Sequence, residues 1–169
     1  MHTDQTAPGS HATPPFRRLL IAVLPVVAVS VAGSLVTRDN IPTWYAGLAK
    51  PGFSPPNWLF APVWTTLYAL MAYALWRILS LPGSTPGRTG AVVIFFVQLA
   101  LNSAWSFAFF GAQSPLSGLV VIAALIVAIL ATIAAFWRLD RIAAWLLAPY
   151  LAWVCFATLL NGAIWQLNG

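Results

Sequence analysis

The chain has 169 residues, 60% hydrophobic and 7% charged, with a formal net charge of +5; soluble domains carry about 25% charged residues, so the composition excludes an ordinary globule and fits several membrane spans. Its Lys and Arg are scattered, which leaves no clustered basic face for nucleic acid. Glu is absent, Asp4, Asp39 and Asp140 lie outside the apolar runs, and the lone Cys155 reads as a small buried hydrophobe with no metal or disulfide partner.

Residues 1–16 are polar and rich in Pro, Gly, Ser and Thr. They read as a disordered tail that includes His2 and His11. Residues 17–169 form one all-α domain of five spans, each near the roughly 20 residues a bilayer requires. The spans run over about 19–36, 58–79, 91–110, 116–137 and 142–167. Arg17-Arg18 before an apolar run resembles a signal peptide, but the run is long and leads straight into further spans, so it reads as a retained helix. Arg17, Arg18, Arg77, Arg88, Arg138 and Arg141 share one side of the resulting topology, against Arg38 and Lys50 on the other. That imbalance places the N-terminus in the cytoplasm. The first loop, about 37–57, and the C-terminus then face the periplasm of a bacterial inner membrane.

The first loop holds "WYAGLAKPGFSPPNWLFAPVW" over 44–64. Pro51, Pro55 and Pro56 forbid a regular helix through it, so it reads as a stiff segment built to hold a shape beside something apolar. Pro25 and Pro149 fall inside spans, where neighbouring helices can satisfy a freed carbonyl; a kink is expected near Pro149. In the third span, Ala100, Ala104, Ala108 and Ala112 repeat every four residues and permit close helix approach. That approach serves either a dimer or intramolecular packing, and a similar stripe, Ala124, Ala128, Ala131 and Ala135, competes for the role. Gln98 and Asn102 are amides at bilayer depth and should point inward.

The spans contain no His, Asp or Glu. Acid–base catalysis, a metal site and a carboxylate relay therefore lack their groups. Aromatic and amide chemistry remains. Trp44, Trp137 and Trp145 lie near span ends and fit an aromatic belt. Trp64, Trp105 and Trp153 lie inside spans, and bulk packing explains any one of them. Their coincidence with Tyr68, Asn102, Tyr150 and Asn161 suggests an apolar pocket with a few polar handles. Asn161 either joins that pocket or caps carbonyls near the end of its helix.

"WYAGLAKPGFSPPNWLFAPVWTTLYALMAY" (44–73), "QLALNSAWSFAFFGA" (98–112) and "PYLAWVCFATLLNGAIW" (149–165) together resemble the translocator protein family, also called tryptophan-rich sensory proteins or peripheral benzodiazepine receptors (TspO/MBR). The resemblance covers the chain from about Arg17 onward. It implies a five-helix membrane bundle that binds porphyrins, sterols and isoquinoline or benzodiazepine ligands beneath the first loop as a lid. The ligand-binding residues it implies are Trp44, Trp58, Trp64, Tyr68, Asn102, Trp105, Trp153, Ala157, Leu160 and Asn161. Trp64 and Trp153 match the tryptophans implicated in light- and oxygen-dependent porphyrin breakdown, the one catalytic role the resemblance offers. A homodimer through Ala100, Ala104 and Ala108 is implied as well.

The expected ligand is protoporphyrin IX or a related tetrapyrrole, with no cofactor, and the expected role is sensory, regulatory or stress-related. Passive transport of a small amphiphile is a further reading. Arg38 or Lys50 would meet the propionates. Two departures stand out. At the sterol-associated Leu-x-Tyr-x-x-x-Arg pattern this chain has Leu160, Gly162 and Gln166, and only Leu70, Tyr73 and Arg77 offer another weak match. Ser103 replaces a family tryptophan.

Overall fold

Hydrocarbon offers no partner to a backbone N–H, so an apolar chain of this kind crosses a bilayer as helix. The computed structural model describes residues 14–169, and among them it contains helices and no strand. The helices are α1 (Pro15–Asn40), α2 (Phe60–Ser80), α3 (Arg88–Ser106), α4 (Pro115–Trp137), α5 (Arg141–Trp145) and α6 (Ala148–Asn168). With the short turns that prolong them, five segments are long and apolar enough to cross a membrane: Pro15–Tyr45, Asn57–Ser80, Arg88–Gly111, Pro115–Trp137 and Arg141–Asn168. The tail expected over residues 1–16 lies outside the described residues up to residue 13, and Pro15 and Phe16 already belong to α1.

Two spans depart from expectation, each for a local reason. The first span does not stop near Val36 but continues to Asn40 and through a π-helical turn, Ile41–Tyr45. Polar side chains do not end this helix because they bond back into it: Thr37 Oγ1 donates to the Gly33 carbonyl at 2.9 Å and Asn40 Nδ2 to the Val36 carbonyl at 2.8 Å. Pro42 lacks the N–H that would continue an α-helical ladder, and the chain widens there. The lid loop is therefore shorter than the expected 37–57. The third span likewise ends in a π-helical turn, Phe107–Gly111, closed by the Ala112 N–H on the Phe107 carbonyl at 2.7 Å.

The fifth span is two helices rather than one. α5 ends at Trp145 and α6 begins at Ala148. The ring of Pro149 would collide with the carbonyl four residues earlier, so the break falls before it. Pro149 then sits in the first turn of α6, where its missing N–H matters least.

The most extensive packing joins α4 to α3 and α6, and α1 to α2. Tyr150, Phe95, Phe136 and Met71 are fully buried at the centre, and Phe95 stacks on Phe136 at 6.0 Å. Helix α1 is the least embedded, burying only Ala22, Val26 and Gly33. Cys155, expected to be buried, is exposed on α6.

One end of the bundle is clamped by charge. Arg88 donates to the carbonyls of Ile78 and Leu79 at 3.1 and 3.0 Å, and Arg18 reaches that of Ser80 at 3.4 Å. These cations meet the negative end of the α2 dipole. Arg77 Nε donates to Asp140 Oδ2 at 2.7 Å, while Asp140 Oδ1 accepts from the Ile142 and Ala143 N–H groups and caps α5. Trp137 and Trp145 meet at the same end.

Burial alone would raise the Asp140 carboxyl, but the Arg77 guanidinium and the two N–H donors outweigh it and hold it below its ordinary value. A carboxylate lowered in the folded state stabilises fully above its unfolded value, about 3.9. That contribution is lost as pH falls through the lower folded value. Asp140→Asn keeps the cap and removes the charge. In thermal unfolding of detergent-solubilised protein it should cost about 1–3 kcal/mol at pH 7 and flatten the loss of stability below about pH 4.

Candidate functional site: an aromatic cavity beneath the first loop

At the other end the helices do not close on one another. They leave a cavity of about 310 Å³ walled by α1, α2, α3 and α6. From α2 come Phe60, Trp64 and Tyr68, with Trp64 and Tyr68 tilted together at 5.3 Å. From α3 and its π-helical turn come Trp105 and Phe109, stacked at 5.4 Å, with Phe110 beside them. From α6 come Trp153, Ala157, Leu160 and Asn161, and Phe60 meets Trp153 edge to face at 5.8 Å. Both π-helical turns deliver aromatics here, Tyr45 from one and Phe109 and Phe110 from the other. Such turns shift the side chains that follow them off the regular helical faces.

Two asparagines tie the walls together. Tyr68 donates its hydroxyl to Asn102 Oδ1 at 2.9 Å, and Asn102 Nδ2 donates to the Tyr150 hydroxyl at 3.1 Å. This chain links α2, α3 and α6. Trp105 Nε1 donates to Asn161 Oδ1 at 3.3 Å, and Asn161 Nδ2 donates to the Pro115 carbonyl at 2.7 Å. Asn161 thus joins the cavity, and its amide reaches across to α4 rather than capping carbonyls at the end of its own helix.

The roof is the segment between Tyr45 and Asn57, which adds no lining residue of its own but rests on residues that line the cavity. Its Leu48 packs on the cluster of Tyr45, Phe109, Leu160 and Ile164, and its Phe53 meets Phe156 at 6.4 Å. The side-chain amide of Asn168 at the end of α6 pairs with the backbone of Ala49, accepting from its N–H and donating to its carbonyl, both at 2.9 Å. Lys50 Nζ donates to the carbonyls of Leu48 and Ala46 and lies 4.8 Å from the Tyr45 ring centre. It holds the roof together from within. Arg38 is engaged with Asp39 on the exposed surface.

Seven of the ten expected residues line the cavity: Trp64, Tyr68, Trp105, Trp153, Ala157, Leu160 and Asn161. Asn102 is buried one layer behind, anchoring Tyr68. Trp44 also stands behind the wall, edge-on to Phe109 and Phe110 at 5.4 and 6.4 Å. Trp58 points away, 71% exposed. The tight turn Asn57–Leu59 sends Asn57 to the cavity and Trp58 outward. Gln98 is buried as expected but is not part of the cavity wall.

The whole contribution of α1 was missed: Ser30, Gly33, Ser34 and Thr37 line one side. Their spacing of three, four and seven residues is one helical face. In an otherwise apolar span, that run of small and hydroxylated residues is the signal that marks it.

Gly118 shows how tightly the wall is fitted. A Cβ there would stand 2.6 Å from Asn161 Oδ1 and 2.9 Å from Phe109. Gly118→Ala should displace both and cost about 1–3 kcal/mol in thermal unfolding. The roof clasp can be tested separately. Asn168→Ala should speed amide hydrogen exchange at Ala49 about tenfold or more, since two bonds of about 1 kcal/mol each are lost, while exchange in the middle of α4 stays as it is.

Comparison with known proteins agrees with this architecture. Residues 21–166 match the TspO/MBR family. The chain is 46% identical over 151 residues to the Tryptophan-rich protein TspO of Archaeoglobus fulgidus, covering 89% of this chain and 97% of that protein. It is 46% identical over 142 residues to the protein of the same name from Chlorobaculum tepidum, covering 84% and 90%. The human Translocator protein is 42% identical over 128 residues, covering 74% of this chain and 75% of that one. The chain therefore belongs to the TspO/MBR family, as a membrane protein with five apolar helices.

Proposed function

We propose that the cavity binds a tetrapyrrole such as protoporphyrin IX, and that binding serves a sensory, regulatory or stress-related role in the membrane. One observation carries this reading: the cavity is walled by the rings of Trp64, Tyr68, Trp105, Phe109 and Trp153, and the loop beside it is pinned to the end of α6. A flat conjugated ligand stacks well on such walls. Its acidic edge would stay at the roof end, one ring away from Lys50. The volume of about 310 Å³ is at the low end for drug-sized ligands, which occupy about 300–1,000 Å³. Fused bicyclic or tricyclic compounds of the isoquinoline and benzodiazepine type suit it too.

Cationic loop residues favour the charge-clamped end in the cytoplasm, with the roof on the opposite side of a bacterial inner membrane. Ala100 and Ala104 lie exposed on the outer face of α3, with Ala108 half-buried. That exposure leaves the stripe free for a homodimer.

A second reading is favoured by the positions of Trp64 and Trp153, which wall the same chamber. Light- and oxygen-dependent degradation of the bound porphyrin by indole redox chemistry needs no acid–base pair. Illumination in air should then consume the porphyrin Soret band more slowly in a Trp64→Phe/Trp153→Phe variant than in the wild type under equal occupancy. Equal rates would indicate simple photobleaching.

The binding reading is tested by titrating protoporphyrin IX into purified protein and following tryptophan quenching. Trp153→Ala and Trp64→Ala should each raise Kd about tenfold or more, since each removes over 1.4 kcal/mol of ring contact. Trp137→Ala, at the far end, should bind as the wild type does. Cavity variants with wild-type affinity would overturn the assignment.

A further inference from the structure

A clasped roof raises the question of how a ligand gets in. On the water side, the amide of Asn168 holds Ala49 by two hydrogen bonds, and Phe53 and Leu48 sit on aromatic and aliphatic partners. On the lipid side the position is different. A second hollow of about 670 Å³ runs between α1 and α2 at membrane depth, from Leu19 and Trp76 to Ser30 and Thr65. Its walls are almost wholly apolar, and its rim residues Leu19, Val27, Ala69 and Tyr73 are exposed. Ser30, Thr65 and Tyr68 line both this groove and the roofed cavity.

We infer that the α1/α2 groove is the ligand's side entrance, through which a flat amphiphile already dissolved in the bilayer passes edge-on into the roofed cavity. The inference rests on the binding reading above. The chemistry of the threshold suits this route. Ser30 is small, and the Thr65 hydroxyl is turned back onto its own helix, donating to the Ala61 carbonyl at 2.8 Å, so it offers no competing donor to a passing ring. Tyr68 supplies a face for stacking while Asn102 holds its hydroxyl.

Helix α1 is the natural moving wall, since it buries only three residues. Apolar helices in lipid gain little from the hydrophobic effect by closing on one another.

The experiment is stopped-flow tryptophan quenching with protein in vesicles preloaded with protoporphyrin IX. Ala69→Trp, on the exposed rim of α2, and Val27→Trp, on the facing rim of α1, each narrow the groove from opposite sides. Each should slow both association and dissociation about tenfold or more, leaving Kd within about threefold, because a narrowed passage raises the barrier in both directions. Val127→Trp, on the exposed face of α4, adds the same bulk elsewhere and should keep wild-type rates.

Wild-type rates in both rim variants would overturn the side entrance and leave the binding reading intact. Faster exchange in Asn168→Ala with no effect of the rim variants would put entry at the roof instead. A wild-type rate that falls as the protein-to-lipid ratio rises would mean a second copy covers the groove, which also overturns it. Absence of saturable quenching in the wild type would remove the binding reading and the entrance together.

Discussion

Two buried asparagines keep this bundle from closing on itself. In water, a hollow of this size would be opposed by the gain from collapsing apolar walls together. In lipid that gain is small, because acyl chains are as apolar as the helices. What positions the walls is then the set of polar links between them. Asn102 joins α2 and α6 through the hydroxyls of Tyr68 and Tyr150. Asn161 joins α3 to the start of α4 through Trp105 and Pro115. Each link spans helices that would otherwise be free to slide, and an unpaired amide at that depth is costly. The cavity persists because its corners are pinned.

The two ends of the molecule solve the problem of helix termination differently. At one end, Arg18 and Arg88 cover the last carbonyls of α2, and Arg77 draws in Asp140. That end is fixed by charge-assisted bonds, which are stronger than neutral ones. At the other end α1 and α3 finish in π-helical turns, whose wider rings present consecutive aromatics inward. The roof crosses there, joined to α6 by neutral bonds and ring contacts and braced within itself by Lys50.

The spans, their order and most of the cavity were legible in the sequence. A bilayer dictates run length, and an amide at bilayer depth has few places to go other than inward, which marks Asn102 but equally Gln98, a buried residue away from the cavity wall; Asn161 stayed open between pocket and cap. Trp64, Trp105 and Trp153 were marked by their coincidence with Tyr68, Asn102, Tyr150 and Asn161, while Ala157 and Leu160 came only from the family resemblance. The faces of α1 were harder to read. A span that is apolar all round carries no amphipathic stripe, and the Ser30–Thr37 face is marked only by small hydroxyls that bond to their own helix. The direction of Trp58 depends on a single tight turn, Asn57–Leu59, and one residue of phase reverses it. The two π-helical turns have the same character, since a single extra residue per turn leaves no compositional trace. The break before Pro149 was half visible: the proline was noted, but its consequence fell several residues upstream, at the carbonyl its ring would strike.

The polar groups of the cavity have a bearing on selectivity. Tyr68, Asn102, Trp105 and Asn161 already use one another, or the Pro115 carbonyl, as partners. Among the described residues no Asp, Glu, His, Lys or Arg lines the chamber. The side chains of Ser30, Ser106 and Asn57 add a few free polar groups to the lining, but no charged one, so ring faces and satisfied dipoles make up most of the wall. Sites built on unsatisfied polar groups reject near-analogues strongly, because the wrong ligand leaves a buried partner unmade; apolar pockets separate analogues by only about 1–3 kcal/mol. On the proposed binding reading, this chamber would select for flatness, size and apolar edge and tolerate different ring chemistries that meet those conditions. Sharper choice among amphiphiles would then fall to the geometry at Ser30, Thr65 and Tyr68, which line both hollows.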